Sequence, residues 1–463
     1  MGKGKLVLPL SVVAIAVCAI VYELLIASTS SYLLGDSVWQ FSITIGLFMS
    51  AMGLGSYLSK HLHRDLVRAF LSIEVVLGCL VGLEIPLLLR ITEPEGSLRE
   101  NAAWVLALDY SGGLIGSVAF PLLLLPRLGS LRTALLIGLL NVLVALVGSF
   151  AFRTSRNLRF LAGAAFLSLL ALLSVAGSAQ DFLEQRLYRD QVVFSAQTPY
   201  QHLVLTRFKG DLRLFIDGNL QFSTADEYRY HEALVHPPLG MVPARGEALI
   251  LGGGDGLALR EVLKHPFSRV TLVDLDPEMT RLAKTQPELL AANQRSLFDP
   301  RVRVINADAM KFLEREGWYS FIAVDLPDPH GESLNKLYTR EFYSLLRRRL
   351  TRDGAMVVQA SSPYFARKAY WCISETVRAA GFSVRNYHLN VPSFGDWGFV
   401  MGTLQPVGGV PSLPKSVKTR YLNPATLPAL FSFGGDETRV PVETNTIFHP
   451  VLLRYYQQGW RNE

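Results

Sequence analysis

Cysteine is scarce in this sequence. The three present, Cys18, Cys79 and Cys372, lie far apart. Their spacing excludes a disulfide framework and a cysteine-rich metal site, which leaves isolated buried thiols. A block of lysine and arginine interleaved with aromatics is also missing, so nucleic acid is not an expected partner. The formal net charge of +6 is mild. Basic loops of a membrane protein account for it as readily as an acidic partner does. A cleavable leader is lacking too: the first apolar run is too long for one, and no small-x-small site closes it. Val17 stands where a lipoprotein cleavage site needs a small residue.

What is present is apolar length. Half of the chain is hydrophobic and the mean hydropathy is positive. The apolar residues concentrate before about Ser178, and the rest reads as a globular sequence with charges throughout. Six segments match the roughly 20 apolar residues a bilayer crossing needs: about 6–28, 38–58, 68–90, 102–125, 132–152 and 158–178. Lys3, Lys5, Lys60, Arg64, Arg68, Arg127 and Arg132 flank alternate segments. This places the N-terminus and the region after the sixth segment in the cytoplasm. The fifth loop, with Arg153, Arg156 and Arg159, runs against that rule. Four acids sit inside the segments, Glu23, Glu74, Glu84 and Asp109. Such residues either line a cation site or pathway or sit protonated or paired near a helix end, and both readings stand. Gly112-x-x-x-Gly116 marks a close-approach face, read as packing between helices of one chain rather than as a dimer contact.

The organisation expected is therefore a helical transmembrane bundle of about six helices over 1–178, a connector over 179–190, a small antiparallel β-sheet within 191–245, a Rossmann-like doubly wound α/β domain over 246–404 and a proline-rich tail over 405–463. The connector reads as an amphipathic helix lying along the membrane, and the tail as an extended segment packed on the domain. Within the α/β region, strand, turn and helix alternate from "ALILGGG" to "WGFVMGT". Ligands of such sheets sit outside the carboxyl ends of the strands. The first four parallel strands each end in an acid: Asp255, Asp274 with Asp276, Asp308, and Asp325 with Asp328.

The first of these acids sits in the turn "LGGGDGLALRE". No Gly-Lys-Ser/Thr follows, so it is not a P-loop, and Leu257 takes the place of the third glycine of a dinucleotide fingerprint. A carboxylate about 4 Å from a phosphate repels it by roughly 4 kcal/mol at an effective dielectric near 20. The fitting ligand is a nucleoside carrying positive charge near Asp255. Asp274 is placed for the ribose hydroxyls, and Asp308 with Ala309 for the adenine edge. An S-adenosyl sulfonium compound meets all three conditions. For one acid alone a helix cap or turn is the plainer role; four in succession argue for a site.

The motifs "LFIDGNLQFSTADEYRYHE", "LGGGDGLALREVLKHP", "VDLDP", "NAD" and "VDLPDP", spread over 191–404, resemble spermidine synthase and the other polyamine aminopropyltransferases. With its apolar half, the chain resembles the membrane-spanning spermidine synthase-like group of bacteria. The resemblance implies decarboxylated S-adenosylmethionine as co-substrate, with no bound cofactor and no metal. It implies Asp325 as general base and Tyr230 orienting the attacking nitrogen. Gln201, Gln221, His231, Asp255, Asp274, Asp308, Ala309 and Asp328 would bind the substrates, Asp328 on the amine side. A diamine or polyamine, the lipid bilayer of the inner membrane and a second copy in a homodimer are the expected partners. The sequence departs from the family where a tyrosine is expected in the turn "VPSFGDWGF", which has Phe394, and at Glu332, read either as an extra acid for the amine or as a solvated loop residue. Two other readings remain: a binding-only polyamine transporter or sensor, and an S-adenosylmethionine-dependent methyltransferase.

Overall fold

A computed structural model describes residues 4–34, 37–58, 98–152, 154–243, 245–315 and 317–460. The chain divides into two compact units, Met1–Arg189 and Asp190–Glu463.

The first unit is helical. Its described helices are α1 (Gly4–Leu34), α2 (Ser37–Leu58), α3 (Leu98–Ala119), α4 (Leu125–Ala151) and α5 (Arg156–Leu187). A π-helical turn over Phe120–Leu124 joins α3 to α4 around Pro121, which has no N–H to donate. Gly129 then breaks the helix with φ 72° and ψ 177°. By length and composition four stretches can cross a membrane: Val7–Ser31, Gln40–Leu58, Ala102–Ala151 and Arg156–Leu187. The third has 50 residues, more than twice what one crossing needs, and its break separates the expected segments 102–125 and 132–152. The segment expected at 68–90, with Glu74, Cys79 and Glu84, lies outside the described residues.

The small-residue face of α3 packs on α1, as its spacing predicts. A Cβ on Gly112 would stand 2.5 Å from the Val13 carbonyl oxygen and 2.7 Å from the Ala16 Cβ. On the other side of α1, Cys18, Val21 and Leu25 pack with Phe120 and Ile137. Of the arginines that oppose the charge rule, Arg159 has a local role: its Nε donates to the Ser149 carbonyl at 3.2 Å, alongside the Thr154 N–H, in the last turn of α4. Helix α5 runs unbroken through most of the expected connector, to Leu187.

The second unit opens with an antiparallel sheet of four strands, β1 (Gln191–Gln197), β2 (His202–Phe208), β3 (Asp211–Ile216) and β4 (Asn219–Ser223). Helix α6 (Glu227–Leu239) follows. A seven-stranded sheet has the order β10-β11-β9-β8-β5-β6-β7. Its strands are β5 (Glu247–Gly252), β6 (Arg269–Asp274), β7 (Val302–Asn306), β8 (Tyr319–Asp325), β9 (Leu350–Gln359), β10 (Ser383–Val391) and β11 (Gly395–Thr403). Strands β5 to β9 are mutually parallel, and β11 is antiparallel to both its neighbours. The order reverses between β5 and β8, so a crevice opens at their carboxyl ends. Buried runs such as Ala248–Leu251 and Phe321–Val324 have both faces covered.

The helices that bear on the site are α7 (Leu257–Val262), α8 (Pro277–Thr285), α9 (Ala309–Leu313), α10 (Arg340–Arg349), α11 (Arg367–Ala379) and α12 (Val451–Trp460). The tail is packed as expected, with Leu422, Leu427 and Leu430 buried. The Glu232 carboxylate accepts from the backbone N–H groups of Arg420, Tyr421 and Leu422. The tail does not stay extended: α12 ends it, with Val451 and Leu452 in the core.

Candidate active site

The glycine turn after β5 is shaped around carboxylates. The N–H of Gly253, at φ 61°, donates to the Asp325 carbonyl at 3.0 Å. A Cβ there would stand 2.9 Å from Asp325 Oδ2. The N–H of Gly254 donates to Asp274 Oδ2 at 3.0 Å, and a Cβ on Gly254 would lie 2.6 Å from that oxygen. Asp255 Oδ1 accepts from the Leu257 N–H at 2.7 Å, holding the side chain at the start of α7. The glycines thus admit the acids of β6 and β8, which is why the turn carries no cradle for an anion.

Burial dominates the electrostatics. It pushes Asp255 up to about 6, with the His231 charge opposing and the Asp325 charge adding. It pushes Asp274 up to about 7 against two backbone N–H donors, Asp276 and Gly254. Asp325 and Asp328 are raised by the same cause. His231 goes the other way. Burial opposes its charge, but Glu227, whose Oε2 lies 2.8 Å from Nδ1, pushes it up to about 9, aided by Asp325 and Asp255. At neutral pH it is an imidazolium among acids. Glu227 is fixed in turn by Arg260, which donates to Oε1 and Oε2 at 2.9 Å each and to Glu261 at 2.8 Å.

Tyr230 and Asp325 meet directly: the phenol donates to Oδ1 at 2.7 Å. Phe394 packs edge-on against Tyr230, its centroid 6.2 Å away. The Phe394 turn is pinned to the start of α6 because Asp226 accepts from the Ser393 N–H at 2.6 Å and from its hydroxyl at 2.9 Å. Asp328 follows β8, with Oδ1 accepting from Gln359 Nε2 at 3.0 Å. Gln359 also donates to the Tyr338 hydroxyl at 2.6 Å.

The structure thus gathers Asp255, Asp274, Asp325, Asp328, Tyr230 and His231 at the crevice. It engages other expected residues differently. Asp308 caps α9 through the Lys311 N–H at 3.1 Å and pairs with Lys336 at 2.7 Å. Ala309 is buried at the start of that helix. Asp276 is buried, capping α8 and accepting from the Thr198 hydroxyl at 2.8 Å. Gln201 stands before β2, its carbonyl accepting from Thr198. Gln221 donates to the Asn219 carbonyl at 3.1 Å on its own strand. Glu332 is exposed in the first turn of a four-residue helix. His388, Asp396 and Glu437 cluster elsewhere. The ring nitrogens of His388 engage Asp396 at 2.8 Å and the Ser432 carbonyl at 2.7 Å, an arrangement suited to an imidazolium ion pair.

Several residues escaped the sequence reading. Gln359 obeys the strand-end rule as the last residue of β9, but it is not an acid. Glu227 lies one helical turn before His231, a visible i,i+4 pair. Nothing local marks Lys336 as the partner of Asp308.

Comparison with known proteins bears on this site. The spermine/spermidine synthase domain family matches residues 227–407. A polyamine aminopropyltransferase of Leptospira interrogans is 41% identical over 97% of this chain and 98% of its own length. One from Oceanobacillus iheyensis is 41% identical over 97% and 96%. The chain belongs to the polyamine aminopropyltransferase family. It is an aminopropyltransferase enzyme, and the likeness to those relatives extends through the apolar first unit. A solved spermidine synthase in complex with the transition-state analogue AdoDATO covers 53% of this chain and 86% of its own at 23% identity, with a TM-score of 0.47.

Proposed function

We propose that the protein transfers the aminopropyl group of decarboxylated S-adenosylmethionine to a diamine such as putrescine, releasing methylthioadenosine. The observation that carries this reading is the Tyr230–Asp325 hydrogen bond at 2.7 Å, set between the nucleoside-side acids and Asp328. An alkyl ammonium, with a pKa near 10.4, has no lone pair until a proton leaves. The freed nitrogen attacks the methylene carbon beside the sulfonium. The C–S bond breaks with its electron pair going to sulfur, which leaves as a neutral thioether. The proton from the attacking nitrogen goes to Asp325, whose burial and raised pKa suit a base. Tyr230 aims the nitrogen and Asp328 holds the amine. On the other side Asp274 takes the ribose hydroxyls, Asp308 and Ala309 the adenine edge, and Gln201, Gln221 and His231 complete the substrate contacts. Asp255 attracts the ammonium of the decarboxylated arm and repels the carboxylate of ordinary S-adenosylmethionine, so specificity uses repulsion as well as attraction.

The enzyme is anchored in the bacterial inner membrane by its first unit, with the catalytic unit in the cytoplasm. The support is the four long apolar stretches and the outward Phe160 and Leu167 on α5, 79% and 66% exposed, which suit lipid contact.

The test uses the full-length protein in detergent, decarboxylated S-adenosylmethionine and a panel of diamines and polyamines, read by product mass. Asp325→Asn is expected to slow turnover by about 10²–10⁴-fold. An unchanged rate overturns the base assignment. Absence of methylthioadenosine with every amine favours a binding-only domain, and a methylated product a methyltransferase.

A further inference from the structure

Around Asp328, the amine side of the crevice holds hydroxyls that the reaction as drawn leaves unused. Asp328 Oδ2 is closed off from solvent, while Oδ1 is committed to Gln359. The hydroxyl of Ser361 is also buried and bears on the Asp328 carboxylate. Ser361 is fully buried and holds φ 61°, a left-handed conformation unusual for serine. It is fixed on both sides: its N–H donates to Gln359 Oε1 at 3.2 Å and its carbonyl accepts from Gly398 at 2.7 Å. Strain held this firmly beside reacting groups points to a function. The third atom is the hydroxyl of Tyr456, on α12, which faces Asp328.

Helix α12 is rigidly seated against this loop. Asn445 Nδ2 donates to Asn335 Oδ1 at 3.1 Å and to the Tyr338 carbonyl at 3.0 Å, and Asn445 Oδ1 accepts from the Leu452 N–H at 3.2 Å. A Cβ on Gly459 would stand 2.6 Å from the Ala366 Cα, so the helix lies directly on the segment before α11. Trp460 stacks on Phe365 at 5.5 Å.

A primary ammonium has three N–H donors. We infer that Asp328 Oδ2, the Ser361 hydroxyl and the Tyr456 hydroxyl together receive the far ammonium of the acceptor, so that the C-terminal helix forms part of the amine specificity pocket. This rests on the reading that Asp325 and Asp328 face the acceptor. Phe394 offers no hydroxyl at the turn beside Tyr230, and Tyr456 supplies one from a different element.

The variants are Tyr456→Phe, Ser361→Ala and Ser361→Gly in the full-length protein. Each is expected to raise KM for putrescine about tenfold, the loss of one hydrogen bond to a charged group. KM for decarboxylated S-adenosylmethionine stays where it is. Ser361→Gly also relieves the positive φ, so it should raise the melting temperature while weakening the amine, a combination a structural role does not produce. The binding arm is calorimetry of putrescine and spermidine on Asp325→Asn protein, which does not depend on turnover. Failure of the transfer reaction alone would therefore leave this arm readable. An acceptor KM and amine affinity unchanged in all three variants overturn the inference. So does an equal rise in KM for both substrates, or an Asp325→Asn protein that binds neither amine.

Discussion

Replacing Asp255 by Asn removes one charge and little else. Asn Oδ1 can still accept from the Leu257 N–H, the 2.7 Å bond that seats the side chain. Unit charges about 4 Å apart interact by roughly 4 kcal/mol at an effective dielectric near 20. The His231 imidazolium offsets part of the Asp255 charge; taking the offset as half leaves about 2 kcal/mol, or about thirtyfold. Asp255→Asn should weaken decarboxylated S-adenosylmethionine by about that factor and tighten ordinary S-adenosylmethionine by the same factor. The ratio of their dissociation constants, measured by calorimetry, then falls by about 10³. A pH arm checks the cause without a mutation. Asp255 is pushed up to about 6, so it is charged at pH 8 and mostly neutral at pH 5. The wild-type ratio should shrink over that range while the variant's stays flat on this account. A ratio unmoved by Asp255→Asn at pH 8 refutes the charge argument, whatever the variant does to turnover.

Glu227→Gln removes the charge that keeps His231 protonated up to about 9. A histidine pKa raised above its unfolded value near 6.5 contributes stability that is present in full below that value and is lost as pH rises through about 9. The decline starts near 6.5 in both proteins, but in the variant it should end at a lower pH and be smaller, so the variant's melting temperature should fall less between pH 7 and 9 than the wild type's; an unchanged pH profile of stability contradicts it. Gly254→Ala sets a Cβ 2.6 Å from Asp274 Oδ2, so the carboxylate must shift. Nucleoside affinity should fall about tenfold or more while amine affinity is retained, and equal losses in both would show general damage to the fold.

The strand-end acids were legible because three local signals coincide: a strand-like run, a turn, and an acid where ligands of doubly wound sheets bind. Gly112 and Gly116 were legible because spacing alone defines a helix face. Strand β1 carries a weaker signal: its pattern of burial is broken, with Gln191 and Ser195 exposed and a register shift between Val192 and Phe194. The proline-rich tail hid α12, since proline punctuation reads as irregular chain until the last ten described residues. Asp308 looked like its neighbours in the row, yet it alone has a lysine ion pair, brought by the segment before α10. That pairing holds it below the usual carboxylate range: burial raises it, but Lys336 and backbone N–H donors outweigh the burial. A row of like residues along a sheet edge is thus a row of different sites, and the partners that distinguish them arrive from remote parts of the chain.

One crevice tolerates four half-buried acids because their ionisation depends on what it binds. Desolvation disfavours full ionisation when no cation is present, with repulsion from neighbouring carboxylates adding to it at Asp255 and Asp274, and Asp255, Asp274, Asp325 and Asp328 are all raised. His231, held protonated by Glu227, which Arg260 fixes in place, sets a positive charge among them. The proposed substrates bring a sulfonium and ammonium groups, which favour the ionised carboxylates. Charge balance is then reached in the loaded site rather than in the free one. Transfer turns the sulfonium into a neutral thioether, which removes the attraction between nucleoside and acids at the moment the new C–N bond forms. The field that draws in the substrate therefore relaxes its hold on the nucleoside product, and release needs no separate device for that half of the site.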